Sequence, residues 1–144
     1  MIEESTINEI KKYKPLKDVL TNGKNVGRYI LDTYFSETPY TKNRKEWELN
    51  FFLEDIEFIN KKWIIEIIWE LETYKGSNFN ELKRSIKGIS SRALSIRLKE
   101  LKKHGIISRT VQDTRPPKVF YQLSEKGKGF VELMMLVIFF LKGF

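Results

Sequence analysis

The stretch GISSRALSIRLKELKKHGIISR, residues 88–109, limits what this chain can fold into more than any other part of it. Leu94, Leu98 and Leu101 recur at i, i+4 and i+7, the spacing of one helical face. Gly88 breaks whatever precedes the segment, Ser90 or Ser91 can cap the helix, and His104-Gly105 closes it. At about 100° per residue, Arg92, Ser95, Ile96, Lys99 and Lys103 fall on the half opposite the leucines. A helix with a clean apolar stripe and a basic reverse is either a solvated surface helix or one that meets a polyanion.

The neighbouring segments decide between the two. Residues 78–87, NFNELKRSIK, predict a short helix with Phe79, Leu82 and Ile86 inward. After Gly105 comes a strand-like run, residues 106–111, then the polar turn Gln112-Asp113-Thr114-Arg115-Pro116-Pro117, then a second run over residues 118–123. These predict a β-hairpin with a loop too long for a tight turn. Pro116-Pro117 stiffens that loop and, lacking N–H groups, stays out of strand pairing. Two helices joined by a glycine turn, the second basic on its outer face, form a helix-turn-helix pattern, and the hairpin adds a wing. An α-helix fits the major groove of B-DNA, where its early residues reach base edges. Ser90, Ser91, Arg92, Ser95, Ile96, Lys99 and Lys103 are the expected groove-facing set, with Arg115 and Lys118 at the wing.

Charge supports this. The chain carries +7, unevenly: residues 1–74 hold 11 basic and 14 acidic side chains (−3), and residues 75–128 hold 14 and 4 (+10). The last sixteen residues hold one of each. Positive charge concentrated in this way is a footprint expected of nucleic-acid binding, although an ordinary lysine-rich surface would show it too.

The remaining chain predicts more helix. Ile2, Thr6, Ile7 and Ile10 suggest a short helix ending before Pro15, and Val26, Tyr29, Ile30, Thr33 and Tyr34 suggest another over residues 24–36. Asn22-Gly23 and the Thr38-Pro39 neighbourhood read as breaks. Leu49, Phe52, Leu53, Ile56 and Ile59 follow helical spacing over residues 44–60, widened by Trp47 and Phe51. Residues 61–75 leave little polar face, so that helix is expected to be buried on most sides. Gly76-Ser77-Asn78 stops it and can cap the next. Ser124 can cap a last helix running to about residue 142.

The fold class is thus mainly α with a small β-hairpin wing: a winged helix-turn-helix with N- and C-terminal dimerisation helices. Three regions are expected: an N-terminal helical extension over residues 1–45, the DNA-binding domain over 46–128, and a dimerisation helix over 129–144.

The order and identity of particular residues carry a family resemblance. The stretches are Lys62-Trp63, Phe79-Asn80-Glu81-Leu82, Gly88-Ile89-Ser90, Leu94-Ser95, Arg97-Leu98-Lys99-Glu100-Leu101 and Gly105-Ile106-Ile107-Ser108-Arg109. Pro116-Pro117, Val119, Tyr121, Leu123-Ser124 and Gly127 continue them through the wing. With these, residues 58–128 resemble the HxlR-type winged helix-turn-helix transcriptional regulators, relatives of the MarR group. The resemblance covers about half of the chain and implies a homodimer that places two recognition helices on a palindromic operator, with the terminal helices making the dimer. Some members of that family sense oxidants or electrophiles through a cysteine near the first helix. This chain has no cysteine, so that mode is closed to it, as are disulfides and thiolate metal sites. The first 45 residues are longer than the family's usual lead-in, and the C-terminal helix is more apolar.

From Phe130 to Leu141 only Glu132 is charged. A helix apolar nearly all round needs cover, and Phe130, Leu133, Met134, Leu136, Val137, Ile138, Phe140 and Leu141 are the expected dimer contacts, completed around Ile30, Tyr34, Phe51 and Phe52. The longest apolar run, residues 133–141, is far short of the roughly 20 residues a membrane span requires. With a polar N-terminus that lacks an apolar signal core, a soluble, cytoplasmic protein is expected.

No phosphate loop, dinucleotide-binding glycine set or nucleophile elbow occurs, and the single histidine, His104, reads as a helix-end residue rather than a catalyst or ligand. Glu54, Asp55 and Glu57 read as a solvated or ion-paired surface. No enzyme activity, cofactor or metal is expected. The expected partners are double-stranded DNA and a second copy of the chain, with a small-molecule effector of unnamed identity as a third candidate. Trp63, Trp69, Tyr74 and Phe79 could line a site for it, although ordinary core is the plainer reading. The competing functional class is a winged helix that holds DNA through phosphates alone, or packs on a protein partner, without reading sequence.

Overall fold

The computed structural model describes residues 3–35 and 42–144. The chain divides into two compact units, one of residues 1–49 with 133–144 and one of residues 50–132. Seven α-helices and three strands are formed among the described residues: α1 (Glu4–Lys12), α2 (Lys14–Ile30), α3 (Lys42–Ile59), α4 (Ile64–Tyr74), β1 (Ser77–Asn78), α5 (Phe79–Ser85), α6 (Ser91–Lys103), β2 (Ile107–Gln112), β3 (Lys118–Leu123) and α7 (Glu125–Leu141). A π-type turn over Leu31–Phe35 follows α2. No helix among the described residues is long and apolar enough to cross a membrane.

In the unit of residues 50–132, the apolar faces of three short helices close over a small sheet. Ile64, Ile67, Ile68 and Leu71 of α4 meet Leu82 of α5 and Leu94, Leu98 and Leu101 of α6 in one core, completed by Phe58, Ile86, Ile89, Ile106, Ile107, Leu123 and Val131. The sheet order is β1-β3-β2, antiparallel throughout, with Ile107 opposite Leu123 and Gln112 opposite Lys118. This is the expected winged helix-turn-helix with one addition. Ser77 and Asn78 pair with Tyr121 and Phe120 as a third strand, too short for any alternation to be visible in the sequence.

Two glycines in this unit are fixed by geometry. Gly76 has φ of 124°, and a Cβ there would lie 2.4 Å from the Phe120 ring. A Cβ on Gly127, in the first turn of α7, would sit 2.1 Å from the Ile106 carbonyl oxygen, so that only glycine lets the helix approach the start of β2. Ser124 holds the same corner: its Oγ accepts the Gly127 N–H at 3.0 Å and lies 3.0 Å from the Ile106 carbonyl oxygen.

The other unit contains α1, α2, the first part of α3 and the last part of α7. The expected break at Asn22-Gly23 does not occur, and α2 runs through it from Pro15 in its first turn to Ile30. One glycine costs a helix only about 1 kcal/mol, which seventeen helical residues absorb. The Thr38-Pro39 break lies outside the described residues. Leu16 is the buried apolar residue of α2, while Val19, Val26, Tyr29 and Ile30 are exposed.

Helical spacing and burial part company on two helices. The stripe read on α3 is not core: Trp47, Leu49, Phe51, Phe52 and Ile56 are exposed, and only Ile59 at its end packs against the core. The side chain of α3 buried within the core is Phe58, outside the stripe. Periodicity marks a helix's apolar side but not what lies against it. On α4, Trp69 and Tyr74 are 46% and 64% exposed, so this helix is buried on one side rather than most. Trp63 and Phe79, by contrast, do pack against the core.

Candidate nucleic-acid interface

The turn between α5 and α6 is set by two caps. Asn78 and Glu81 form a reciprocal capping box at the start of α5: the Asn78 N–H donates to Glu81 Oε2 and the Glu81 N–H to Asn78 Oδ1, each at 2.9 Å. Gly88, at φ of 87°, reverses the chain. Ser90 rather than Ser91 is the N-cap of α6, its Oγ accepting the Ala93 N–H at 3.0 Å. With Leu94, Leu98 and Leu101 anchored in the core, the orientation of α6 is fixed, and Ser91, Arg92, Ile96, Lys99 and Lys103 are exposed. Ile96 is a 44% exposed apolar group on that cationic face. Ser95 is half-buried.

Not every cation of α6 points outward. Arg97 Nε donates to the Lys62 carbonyl at 2.8 Å, and Arg97 Nη1 to Glu100 Oε2 at 2.7 Å. Lys61 Nζ donates to Glu100 Oε1 at 2.8 Å. The Lys61 hydrogen bond, reinforced by Arg97, holds the Glu100 carboxyl below the usual carboxylate range despite desolvation. This cluster ties α6 to the residues just before α4, so it positions the recognition helix.

Beside the outward face lies a hollow of about 380 Å³ lined by Phe79, Ser95, Lys99, Lys102, Arg109 and Tyr121. It adds two cations, Lys102 and Arg109, to the set expected from the sequence. Lys102 could have been found, since it stands seven residues, close to two turns, beyond Ser95. Arg109 could not, because its place follows from the hairpin register, which sets it across from Tyr121. Lys118 pairs with Gln112 and alternates to the opposite face of the hairpin from Arg109 and Tyr121. Arg115 lies in the loop between the strands, and both wing cations are exposed. Neither makes an ion pair or side-chain hydrogen bond among the described residues, which leaves both available to phosphate.

His104 closes α6 as its C-cap and stacks on Phe58, with ring centroids 3.7 Å apart and planes 13° from parallel. Lys126 Nζ donates to the His104 carbonyl at 2.9 Å, satisfying an end carbonyl of the helix. The histidine is thus a helix-end packing residue.

The residues expected at a dimer contact fall in both units. Phe130 is half-buried and packs against the core of residues 50–132. In the other unit Leu133 and Leu141 are 66% and 72% exposed; Val137, Ile138 and Phe140 are also exposed, with Met134 and Leu136 half-buried. Leu133, Leu136, Val137 and Phe140 of α7 and Val19 and Leu20 of α2 line an open apolar groove of about 460 Å³. Ile30, Phe51 and Phe52 are exposed, and the Tyr34 side chain lies outside what is described.

Comparison with known proteins agrees with this geometry. A family model described as HxlR-like helix-turn-helix matches residues 58–141. A protein of Fusobacterium mortiferum described as a regulatory protein, MalR, is 35% identical over 96 residues, which cover 67% of this chain and 88% of that protein. Among solved structures, the reduced form of the transcriptional regulator YodB from Bacillus subtilis superposes with a TM-score of 0.57 at 31% identity, over 63% of this chain and 88% of that one. A MarR-family transcriptional regulator from Enterococcus faecalis V583 also gives 0.57, at 25% identity, over 74% and 91% of the two chains.

Proposed function

The chain belongs to the HxlR-like helix-turn-helix family, and from that premise we propose that it is a transcriptional regulator, binding double-stranded DNA by sequence as a homodimer on a palindromic operator. The observation that carries this reading is the outward face of α6, where Arg92, Ser95, Ile96 and Lys99 are presented by a helix whose reverse is locked in the core. The cap at Ser90 fixes where that helix starts, the end at which helix-turn-helix proteins present base-reading residues to the major groove. In this reading Arg92 reads a base, Lys103 and Lys102 meet phosphates, and Arg115 and Lys118 carry the wing onto the backbone; the exposure of all five supports it. In this division of labour, residues 46–128 bind DNA, residues 1–45 form a helical extension, and residues 129–144 supply the dimer contact.

The dimer follows from the exposed apolar side chains of α2 and α7. Leu133, Val137, Phe140 and Leu141 would remain wet in a monomer, and a second copy of the same surface covers them with two-fold symmetry. Two recognition helices related in this way read half-sites one helical turn apart, about 34 Å. Competition binding tests the function. The chain should prefer a fragment of DNA from upstream of its own gene over bulk DNA by about 10³-fold or more. Equal affinity for both would favour a module that binds DNA without reading it.

A further inference from the structure

Arg109 stands on β2 where strict alternation would put an apolar residue. It shares a face of the hairpin with Ile107, and it is paired with Tyr121, whose neighbour on the same face of β3 is Leu123. Ile107 and Leu123 are buried, so this is the face that the core covers. The arginine therefore emerges on the side of the hairpin turned to α6, where it lines the hollow of about 380 Å³ with Lys99 and Lys102. Ser95, Lys99 and Lys102 reach that hollow from the helix, spaced at i, i+4 and i+7 along one side.

The hollow is rich in donors, and no carboxylate lines it. Among the described residues Lys99, Lys102 and Arg109 make no ion pair, and neither they nor the hydroxyls of Ser95 and Tyr121 make a side-chain hydrogen bond. Glu100, the one acid of α6, is taken by Lys61 and Arg97. Three cations brought to one place without a counter-charge repel one another, and an anion bound between them relieves that repulsion. Phe79 and Leu98 supply apolar walls, which focus the field of the like charges on whatever lies between them.

The arrangement of the donors narrows the anion. Two lysines come from a helix and the arginine from a strand, so the ligand is approached from two sides. A carboxylate offers two oxygens in one plane. A phosphate group is tetrahedral, so the arginine fork can take two of its oxygens in parallel while the lysines add charge from the other side.

We propose that the hollow between α6 and β2 is a phosphate seat, in which Arg109, Lys102 and Lys99 hold one phosphate group of the DNA backbone and, in its absence, a free phosphate compound. Its use by DNA rests on the function proposed above; the seat itself does not. Phosphate compounds then weaken DNA binding by occupying the seat, beyond what they add to ionic strength.

Isothermal titration of the intact chain with inorganic pyrophosphate, at ionic strength fixed with chloride, tests the seat. Binding should be saturable. Arg109→Gln should weaken it about tenfold and Lys102→Gln about threefold, whereas Lys87→Gln, which removes an exposed charge outside the hollow, should leave it unchanged. No binding, affinity untouched by Arg109→Gln, or equal weakening by all three substitutions would overturn the seat. Fluorescence anisotropy with labelled duplex then separates the two sources of phosphate. With a backbone phosphate in the seat, Arg109→Gln should weaken binding to operator and random duplex alike and flatten the dependence of log affinity on log salt by about 0.9. Saturating pyrophosphate at constant ionic strength should lower the DNA affinity of the intact chain about threefold or more, and that of Arg109→Gln far less. An unchanged salt slope, with pyrophosphate binding intact, would assign the seat to free phosphate and overturn its use by DNA. A chain that takes pyrophosphate but binds no DNA would count against the proposed function and leave the seat standing.

Discussion

Residues 50–132 bury fifteen apolar side chains in one connected core, whereas in the unit of residues 1–49 and 133–144 the buried apolar residue among those described is Leu16. Apolar residues abound in both. Leu133, Val137, Ile138, Phe140 and Leu141 of α7 are as hydrophobic as anything in α4, yet all are exposed. The difference teaches that composition fixes how much apolar surface must be covered, not what covers it. In the first unit three short helices and a sheet cover one another; in the second the helices have too little of the chain around them to do so. On the dimer proposed above, the second unit is the one that association would complete.

The largest expected effect contrasts the two directly. Leu101→Ala, at a fully buried position of α6, should destabilise the folded protein by about 2–5 kcal/mol in denaturant melts, at any protein concentration. Leu133→Ala should cost much less at high concentration and shift the concentration at which the dimer separates upward, because what it weakens is association. Concentration-independent losses of similar size at both positions would erase the distinction.

Next in size is the reading of DNA. Arg92→Ala should cost about 1–3 kcal/mol on the cognate site if the guanidinium reads a guanine, and much less on random duplex, measured by anisotropy. Equal losses on both would make Arg92 a phosphate contact. Because Arg92 lies on α6, outside the proposed dimer contact, the variant should retain the oligomeric state of the parent.

The wing should contribute affinity more than choice. Replacing Arg115 and Lys118 together with alanine should weaken specific and non-specific binding alike. It should also flatten the dependence of log affinity on log salt by up to about two units, roughly 0.9 for each phosphate that is no longer neutralised. An unchanged slope would remove the wing from the interface.

The smallest effect concerns how α6 is held. Since the folded state lowers the Glu100 pKa, the cluster with Lys61 and Arg97 contributes stability that is present above the ordinary carboxylate pKa. That contribution is lost as pH falls through the lowered, folded value. Glu100→Gln should remove this acid-side component, under about 1 kcal/mol, and narrow the gap between melts at neutral and acid pH. A gap of unchanged size would mean the ion pairs contribute nothing.

Much of the DNA-binding unit was legible because its signals are local. The leucine spacing of α6, the caps at Asn78 and Ser90 and the glycine at 88 each specify their own geometry within a few residues. What escaped is non-local. The pairing of Ser77 and Asn78 with β3 and the place of Arg109 beside Lys99 and Lys102 depend on strand register. The clamp of Arg97 on the Lys62 carbonyl joins residues 35 apart in sequence. The stripe on α3 misled for a related reason: spacing announced an apolar side, but Phe58, one residue before its last member, is what the fold buries.

That the apolar surface of α2 and α7 is completed by a second copy is tested most directly by multi-angle light scattering of the intact chain. The mass should be about twice the 17.2 kDa of one chain, falling to the monomer value or giving insoluble protein in Leu136→Glu. A soluble, monodisperse species near 17.2 kDa for the parent protein would contradict the dimer, and would take the palindromic operator with it.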